Sequence, residues 1–254
     1  MVRTPIVGGN FKMNGTIKFI NDHAEVLKSI AKNNVEVVMA PTALHASLLQ
    51  AHLKDSHVCV AAQNVYDQKP GAFTGELAVE MLVDAGIKYA IIGHSERRRI
   101  MGESNEQSAK KTLRALEANI TVLFCIGETL EERNANKVDE VNFAQLAALK
   151  AVITPQQWVD VVIAYEPVWS IGTGVVASPE QAQEVHASIR NWLKKEISTE
   201  VAEMTRIQYG GSVNGKNCAE LSKCADIDGF LVGGAALKPE IVEIVKILGE
   251  TKKQ

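Results

Sequence analysis

"YAIIGHSERRRIMGESNEQSAKKTLRALEANITVLFCIG", residues 89–127, reads as one complete structural unit. An apolar run, YAIIGH (89–94), stops at a glycine and a histidine. Glu103–Asn119 then places apolar residues at roughly i, i+3 and i+4, the stripe of an amphipathic helix. TVLFCIG (121–127) opens a second apolar run. Both runs are continuous rather than alternating, as expected of strands buried on both faces in a parallel sheet.

The same unit recurs along the chain. PIVGGN (5–10), VEVVMA (35–40), HVCVAA (57–62), VDVVIAYE (159–166), RIQYGG (206–211) and GFLVGG (229–234) bring the apolar runs to eight. Helical patterns are clear over Thr16–Lys32 and Ser178–Ser198. The second has Ser178 as N-cap, Pro179 at the first position and Gln181 three on, a capping-box pattern. Lys238-Pro239-Glu240 opens a last helix. Eight such units without a linker or charge block predict a closed (β/α)8 barrel, one domain over residues 1–254. An open doubly wound sheet could also hold eight strands. The polar residues favour the barrel: Asn10, Lys12, His94, Glu166, Gly210-Gly211-Ser212 and Gly233-Gly234 all follow strand ends, which a barrel gathers at one mouth.

Composition excludes several classes. Among 254 residues, 46% are hydrophobic and 22% charged, ordinary for a globular protein, and a formal charge of −3 gives no pull toward nucleic acid or anionic membrane. No run approaches 18 apolar residues, and MVRTPIVGGNFK has no signal-peptide core. The four cysteines are too few and scattered for a disulfide scaffold, Cys59 and Cys125 falling in apolar runs and Cys218 and Cys224 on different faces of a helix. Free thiols and a cytoplasmic location are the expectation. The six histidines form no HxH or HExxH pattern, so no metal site is predicted.

The glycine turns point to an anion. YGGS (209–212) and VGG (232–234) follow strands seven and eight, where barrels commonly hold phosphate through backbone N–H groups. Gly172-Thr173-Gly174-Val175-Val176-Ala177 matches a dinucleotide fingerprint in letters only, since Pro167–Ile171 separate it from its strand. Lys12, His94 and Glu166 would supply a cation, a hydrogen-bond donor and a base. Taken singly, each also fits a plainer role: a solvated lysine, a core histidine, a rim salt bridge. Pro167 holds Glu166 extended and so aims its carboxylate.

GGNFKMNG (8–15), GAFTGE (71–76), IIGHSERR (91–98), FCIGETLEER (124–133), AYEPVWSIGTG (164–174), YGGSV (209–213) and FLVGGAALKP (230–239) together resemble the triosephosphate isomerase family, in order and from residue 5 to about residue 245. The resemblance implies a TIM barrel that interconverts dihydroxyacetone phosphate and D-glyceraldehyde 3-phosphate without cofactor or metal. By the same resemblance Glu166 is the general base, His94 a neutral electrophile, and Lys12 and Asn10 contact the substrate. Gly172, Ser212, Gly233 and Gly234 bind its phosphate, while Ser95 and Glu96 support His94 and Lys12. Pro167–Ala177 becomes a lid latched by Tyr209 and Ser212. A homodimer is implied, with the Gln63–Glu76 loop packing near Met13 of the other subunit. Three positions depart from the family's usual residues: Ser170 for alanine, Ala236 for serine and Met101 for an aromatic. Another phosphate-binding barrel, such as a sugar-phosphate isomerase of amino-acid biosynthesis, would share the cradle without the Lys12, His94 and Glu166 set. A non-catalytic barrel would have no need of Glu166 or Lys12.

Overall fold

The computed structural model describes residues 3–171 and 176–253. Eight parallel strands, β1 (Ile6–Asn10), β2 (Glu36–Ala40), β3 (Val58–Ala62), β4 (Tyr89–Ile92), β5 (Thr121–Ile126), β6 (Val161–Tyr165), β7 (Arg206–Tyr209) and β8 (Gly229–Val232), pair in sequence order. β8 returns to β1, setting Leu231 opposite Gly8, and closes the barrel. The open-sheet alternative is thereby excluded.

Closure explains why the strand runs looked continuous. Ile6, Val38, Ala61, Ile91, Leu123, Val162 and Leu231 fill the barrel interior, while their neighbours Val7, Val37, Val60, Ile92, Phe124, Ile163 and Phe230 pack outward beneath the helices. Alternation is present, but both faces are dry, so hydropathy cannot display it. Aliphatic side chains dominate inside because the interior of an eight-stranded barrel is just wide enough for side chains to fill it.

Ser178 and Gln181 exchange the reciprocal capping-box bonds expected at Pro179–Glu196. The structure adds a second box that the sequence pattern, started at Glu103, does not identify: Ser104 with Gln107 at Asn105–Glu117. Helix ends are shorter than the patterns suggest. Ile17–Lys28 stops before Lys32 because Ser29 turns its hydroxyl onto the Val26 carbonyl at 2.6 Å. Ser198 does not extend its helix; it caps the next one, Thr199–Met204. β6 starts at Val161 rather than Val159, since Pro155–Asp160 forms a 3-10 turn, and Glu166 stands just past its end. Cys218 lies on the short helix Cys218–Ser222 with Cys224 beyond its end, so the two do not share a helix. Cys125 is buried and Cys59 half-buried, and all four thiols are unpaired.

Among the described residues no helix is long and apolar enough to cross a membrane, and no three His, Cys, Asp or Glu side chains cluster as a metal ion would require.

Candidate active site

The C-terminal ends of β1, β4, β6, β7 and β8 surround a cavity of about 380 Å³. Asn10, Lys12, His94, Glu166, Ser212, Gly233 and Gly234 all line it, residues that stand as much as 224 positions apart in sequence. Gly172 lies outside the described residues, as does most of the second half of the expected lid.

Glu166 is the most constrained of the set. It is 2% exposed, and both its oxygens are engaged: His94 Nε2 lies 2.9 Å from Oε1 and the Ser95 backbone N–H donates to Oε2 at 2.9 Å. Its main chain is clamped as well. The Glu166 N–H donates to the Ile126 carbonyl at 2.7 Å, and a Cβ at Gly127 would fall 1.8 Å from the Glu166 carbonyl oxygen. A Cβ at Gly210 would sit 2.9 Å from Glu166 Cγ. These two glycines therefore exist to let neighbouring backbone approach the carboxylate-bearing residue, a use of glycine that needs no unusual φ.

His94 follows β4 and N-caps Ser95–Met101. The Glu96 backbone N–H donates to its Nδ1 at 3.2 Å, so Nδ1 holds a lone pair and the ring proton sits on Nε2, facing Glu166. Burial opposes charge on both groups. Their mutual attraction outweighs it, moving His94 above the ordinary imidazole value and, with the Ser95 amide and Lys12, holding Glu166 below the ordinary carboxylate value. The shift belongs to the pair. Burial and Lys12 oppose charge on the imidazole, while Glu166 and, more weakly, Glu96 favour it.

Lys12 takes a left-handed backbone, φ 51°, rare for a side chain of its size. The Asn10 side chain pins that turn by accepting the Lys12 N–H at 2.9 Å, and Gln63 Nε2 donates to the Lys12 carbonyl at 2.9 Å. Lys12 Nζ pairs with Glu96 Oε1 at 2.6 Å. Glu96 thus holds His94 through its backbone and Lys12 through its side chain, and Ser95 holds Glu166 through its amide. On the opposite lip, Ser212 is fixed by Asn217 Nδ2 donating to its carbonyl at 2.9 Å, and the 3-10 turn Gly234–Leu237 follows β8 directly.

One buried acid went unread in the sequence. Glu128, 0% exposed, follows β5 and accepts from Tyr165 Oη and Trp169 Nε1, each at 3.0 Å, while Arg133 Nη1 lies 3.3 Å away. Its carbonyl accepts the Val168 N–H at 3.0 Å, so it ties down the segment that leaves Glu166. A carboxylate directly after a strand run was the available signal, hidden by the surface-like charges of Glu131, Glu132 and Arg133 beside it.

A closed (β/α)8 barrel whose strand ends gather a buried carboxylate, an imidazole of defined tautomer and a lysine facing a glycine-rich lip around one cavity has the architecture of a barrel enzyme. Residues 5–248 match the family model described as Triosephosphate isomerase. Three curated relatives named triosephosphate isomerase are similar over almost their whole length. That of Emericella nidulans is 56% identical over 254 residues, covering 96% of this chain and 98% of the relative. That of Neurospora crassa is 53% identical, with 96% and 98% covered, and that of Debaryomyces hansenii 50%, with 97% and 99% covered. The chain belongs to the triosephosphate isomerase family.

Proposed function

We propose that this chain is a triose-phosphate isomerase, interconverting dihydroxyacetone phosphate and D-glyceraldehyde 3-phosphate in glycolysis and gluconeogenesis, with residues 1–254 acting as one TIM-barrel domain. The observation that carries this reading is the buried Glu166–His94 pair opening onto the cavity that Lys12 and Gly233-Gly234 share.

In this reading the substrate phosphate rests on the backbone N–H groups of Gly233 and Gly234 with the Ser212 hydroxyl, Gly172 adding its amide. The carbonyl end then lies toward Asn10, Lys12 and His94. Glu166 leaves His94 and Ser95, takes a proton from the carbon α to the carbonyl and returns it to the neighbouring carbon. Leaving those donors removes what depressed its basicity, so the carboxylate becomes a stronger base at the moment of use. His94 donates its Nε2 proton as a hydrogen bond to the oxygen that gains charge, and Lys12 offsets the developing enediolate. No step calls for a cofactor or metal. Covering the intermediate with the Pro167–Ala177 segment keeps water out.

A homodimer is part of the same proposal. Met13 is 93% exposed and Leu44, Met101 and Phe73 also stand in solvent, with Phe73 held against Tyr66 at 4.8 Å between ring centroids. A second cavity of about 300 Å³, lined by Lys12, Met13, Gln63, His94 and Glu96, adjoins the site. The Gln63–Glu76 loop of a second copy would fill it, a self-complementary C2 contact. Sedimentation should give about twice the 27.6 kDa chain mass, and a fully active monomer would refute the arrangement. Four unpaired thiols support a cytoplasmic setting, and nothing in the charge pattern supports nucleic acid or membrane partners.

The reading is tested by converting D-glyceraldehyde 3-phosphate to dihydroxyacetone phosphate, coupled to glycerol-phosphate dehydrogenase. Lys12→Met should leave the fold intact and collapse kcat/KM. Absence of isomerase activity in the wild-type chain refutes the proposal.

A further inference from the structure

We propose that His23, on helix Ile17–Lys28, is a positioning residue for the phosphate-gripping turn after β8, and that it locks this turn to the lip carrying Asn10 and Lys12. The inference rests on the triose-phosphate reading above.

His23 occupies a place where the fold asks only for an apolar residue. Ile20, Ala24 and Leu27 share its buried stripe, and His23 itself is 4% exposed. Placing an imidazole there costs desolvation unless the ring finds a partner. The partner is specific: Nε2 lies 2.8 Å from the Ala236 carbonyl oxygen. A carbonyl can only accept, so Nε2 carries the proton. Burial draws the imidazole below its ordinary value, with the Ala236 bond opposing, which favours the neutral form.

Ala236 sits inside the 3-10 turn Gly234–Leu237, fully buried, and its own N–H donates to the Gly233 carbonyl at 2.9 Å. Both polar groups of this residue are thereby committed, one within the turn and one to helix Ile17–Lys28. The Gly233 carbonyl held by the Ala236 N–H shares its peptide plane with the Gly234 N–H, so fixing Ala236 bears on the orientation of that amide. The same imidazole stands edge-on to Phe11, centroids 5.5 Å apart, and stacks on Phe19 at 5.1 Å and 15°. Phe11 is the residue between Asn10 and Lys12 and lines the cavity. His23 therefore touches both lips: one by a hydrogen bond, the other by ring contact.

Three variants separate the donor from the ring. His23→Phe keeps an aromatic ring and removes the N–H; His23→Gln keeps an N–H donor at similar reach; His23→Leu fills the stripe with an aliphatic group. Two quantities are read on each: the Kd for inorganic phosphate by calorimetry, and KM and kcat for D-glyceraldehyde 3-phosphate. Orphaning one buried carbonyl should weaken phosphate binding about 10-fold in the Phe variant and raise KM in parallel, with kcat within about twofold. His23→Gln should recover both to within about threefold. Should the Phe variant fail to fold, His23→Leu carries the same comparison with Gln. Unchanged phosphate Kd and KM in a folded Phe or Leu variant overturn the inference, as does a Gln variant no better than Phe. Failure of the wild-type chain to bind phosphate or isomerise overturns the functional reading instead, and this one with it.

Discussion

Replacing Glu166 with aspartate tests the base through distance alone. The substitution withdraws the carboxylate by about one C–C bond, ~1.5 Å. Nothing around the residue can give that length back. The main chain is held by the 2.7 Å bond to Ile126 and by Gly127 pressed against the Glu166 carbonyl, and Gly210 closes the space beside Cγ. The whole shortfall therefore reaches the reacting atoms. A misplacement of about 1 Å can cost roughly 10²-fold, or about 2.7 kcal/mol in the barrel's transition-state stabilisation, so kcat should fall about 10²-fold or somewhat more while KM changes little. Glu166→Gln supplies the counterpart: it keeps the length and the Ser95 bond but cannot accept a proton, and its loss should be larger, toward about 10⁴-fold. The assay is the coupled isomerisation in both directions, with thermal melts to show that each variant folds. A kcat within threefold of wild type for Glu166→Asp, or a Gln variant more active than Asp, would refute the assignment.

Gly210→Ala puts a methyl group 2.9 Å from Glu166 Cγ, so kcat should fall about 10-fold or more with modest change in melting temperature; unchanged kcat would show that the carboxylate has more room than the packing implies. Glu128→Ala removes the shared acceptor of Tyr165 and Trp169 and strands the half-buried Arg133, and urea unfolding should reveal a loss of about 3–5 kcal/mol. A loss under about 1 kcal/mol would contradict the hub role. His186 is fully buried, its pKa lowered to about 4 chiefly by burial. The unfolded chain therefore binds more protons below the ordinary value of 6.5, so the stability the neutral ring contributes is complete above that pH and drains as pH falls toward 4, by up to about 3 kcal/mol. His186→Phe should flatten that part of the stability–pH curve, and an unchanged slope between pH 6.5 and 4 would exclude the residue as its source.

The barrel was legible because each strand is a dry run bounded by a polar strand end, and the capping box at Ser178 announces its helix in four letters. Helix ends were less legible. Ser29 and Ser198 each resolve a local competition between continuing a helix and bonding their own backbone, and that contest is settled by neighbours the sequence does not display. The site residues were visible as strand-end polar groups, but their linkage was not. That Ser95 serves Glu166 while Glu96 serves both His94 and Lys12 depends on which way two adjacent side chains and amides point at a helix start. Glu128 and His23 were missed for a related reason: one sits beside a surface-like charge run, the other in an ordinary amphipathic stripe, and only tertiary contacts distinguish them from their neighbours.

On the proposed mechanism, the pairing of Glu166 with His94 and Ser95 explains how a buried base can be both stable and reactive. An unpaired carboxylate at 2% exposure would protonate, because burial raises its pKa and nothing would oppose it. The Ser95 amide, the His94 N–H and the nearby lysine keep it ionised, at the expense of basicity. A substrate that draws His94's proton toward its own oxygen takes away one of those supports, and the turn of the carboxylate toward carbon gives up the second. Basicity rises only when something is present to be deprotonated. At the same moment His94 loses the stronger of the two anions that favour its charged form, Glu96 remaining, while the Glu96 N–H on Nδ1 still reserves Nε2 as the donor. On the proposed mechanism one motion sharpens the base and lowers the charge preference of the electrophile together, because the two residues start in contact.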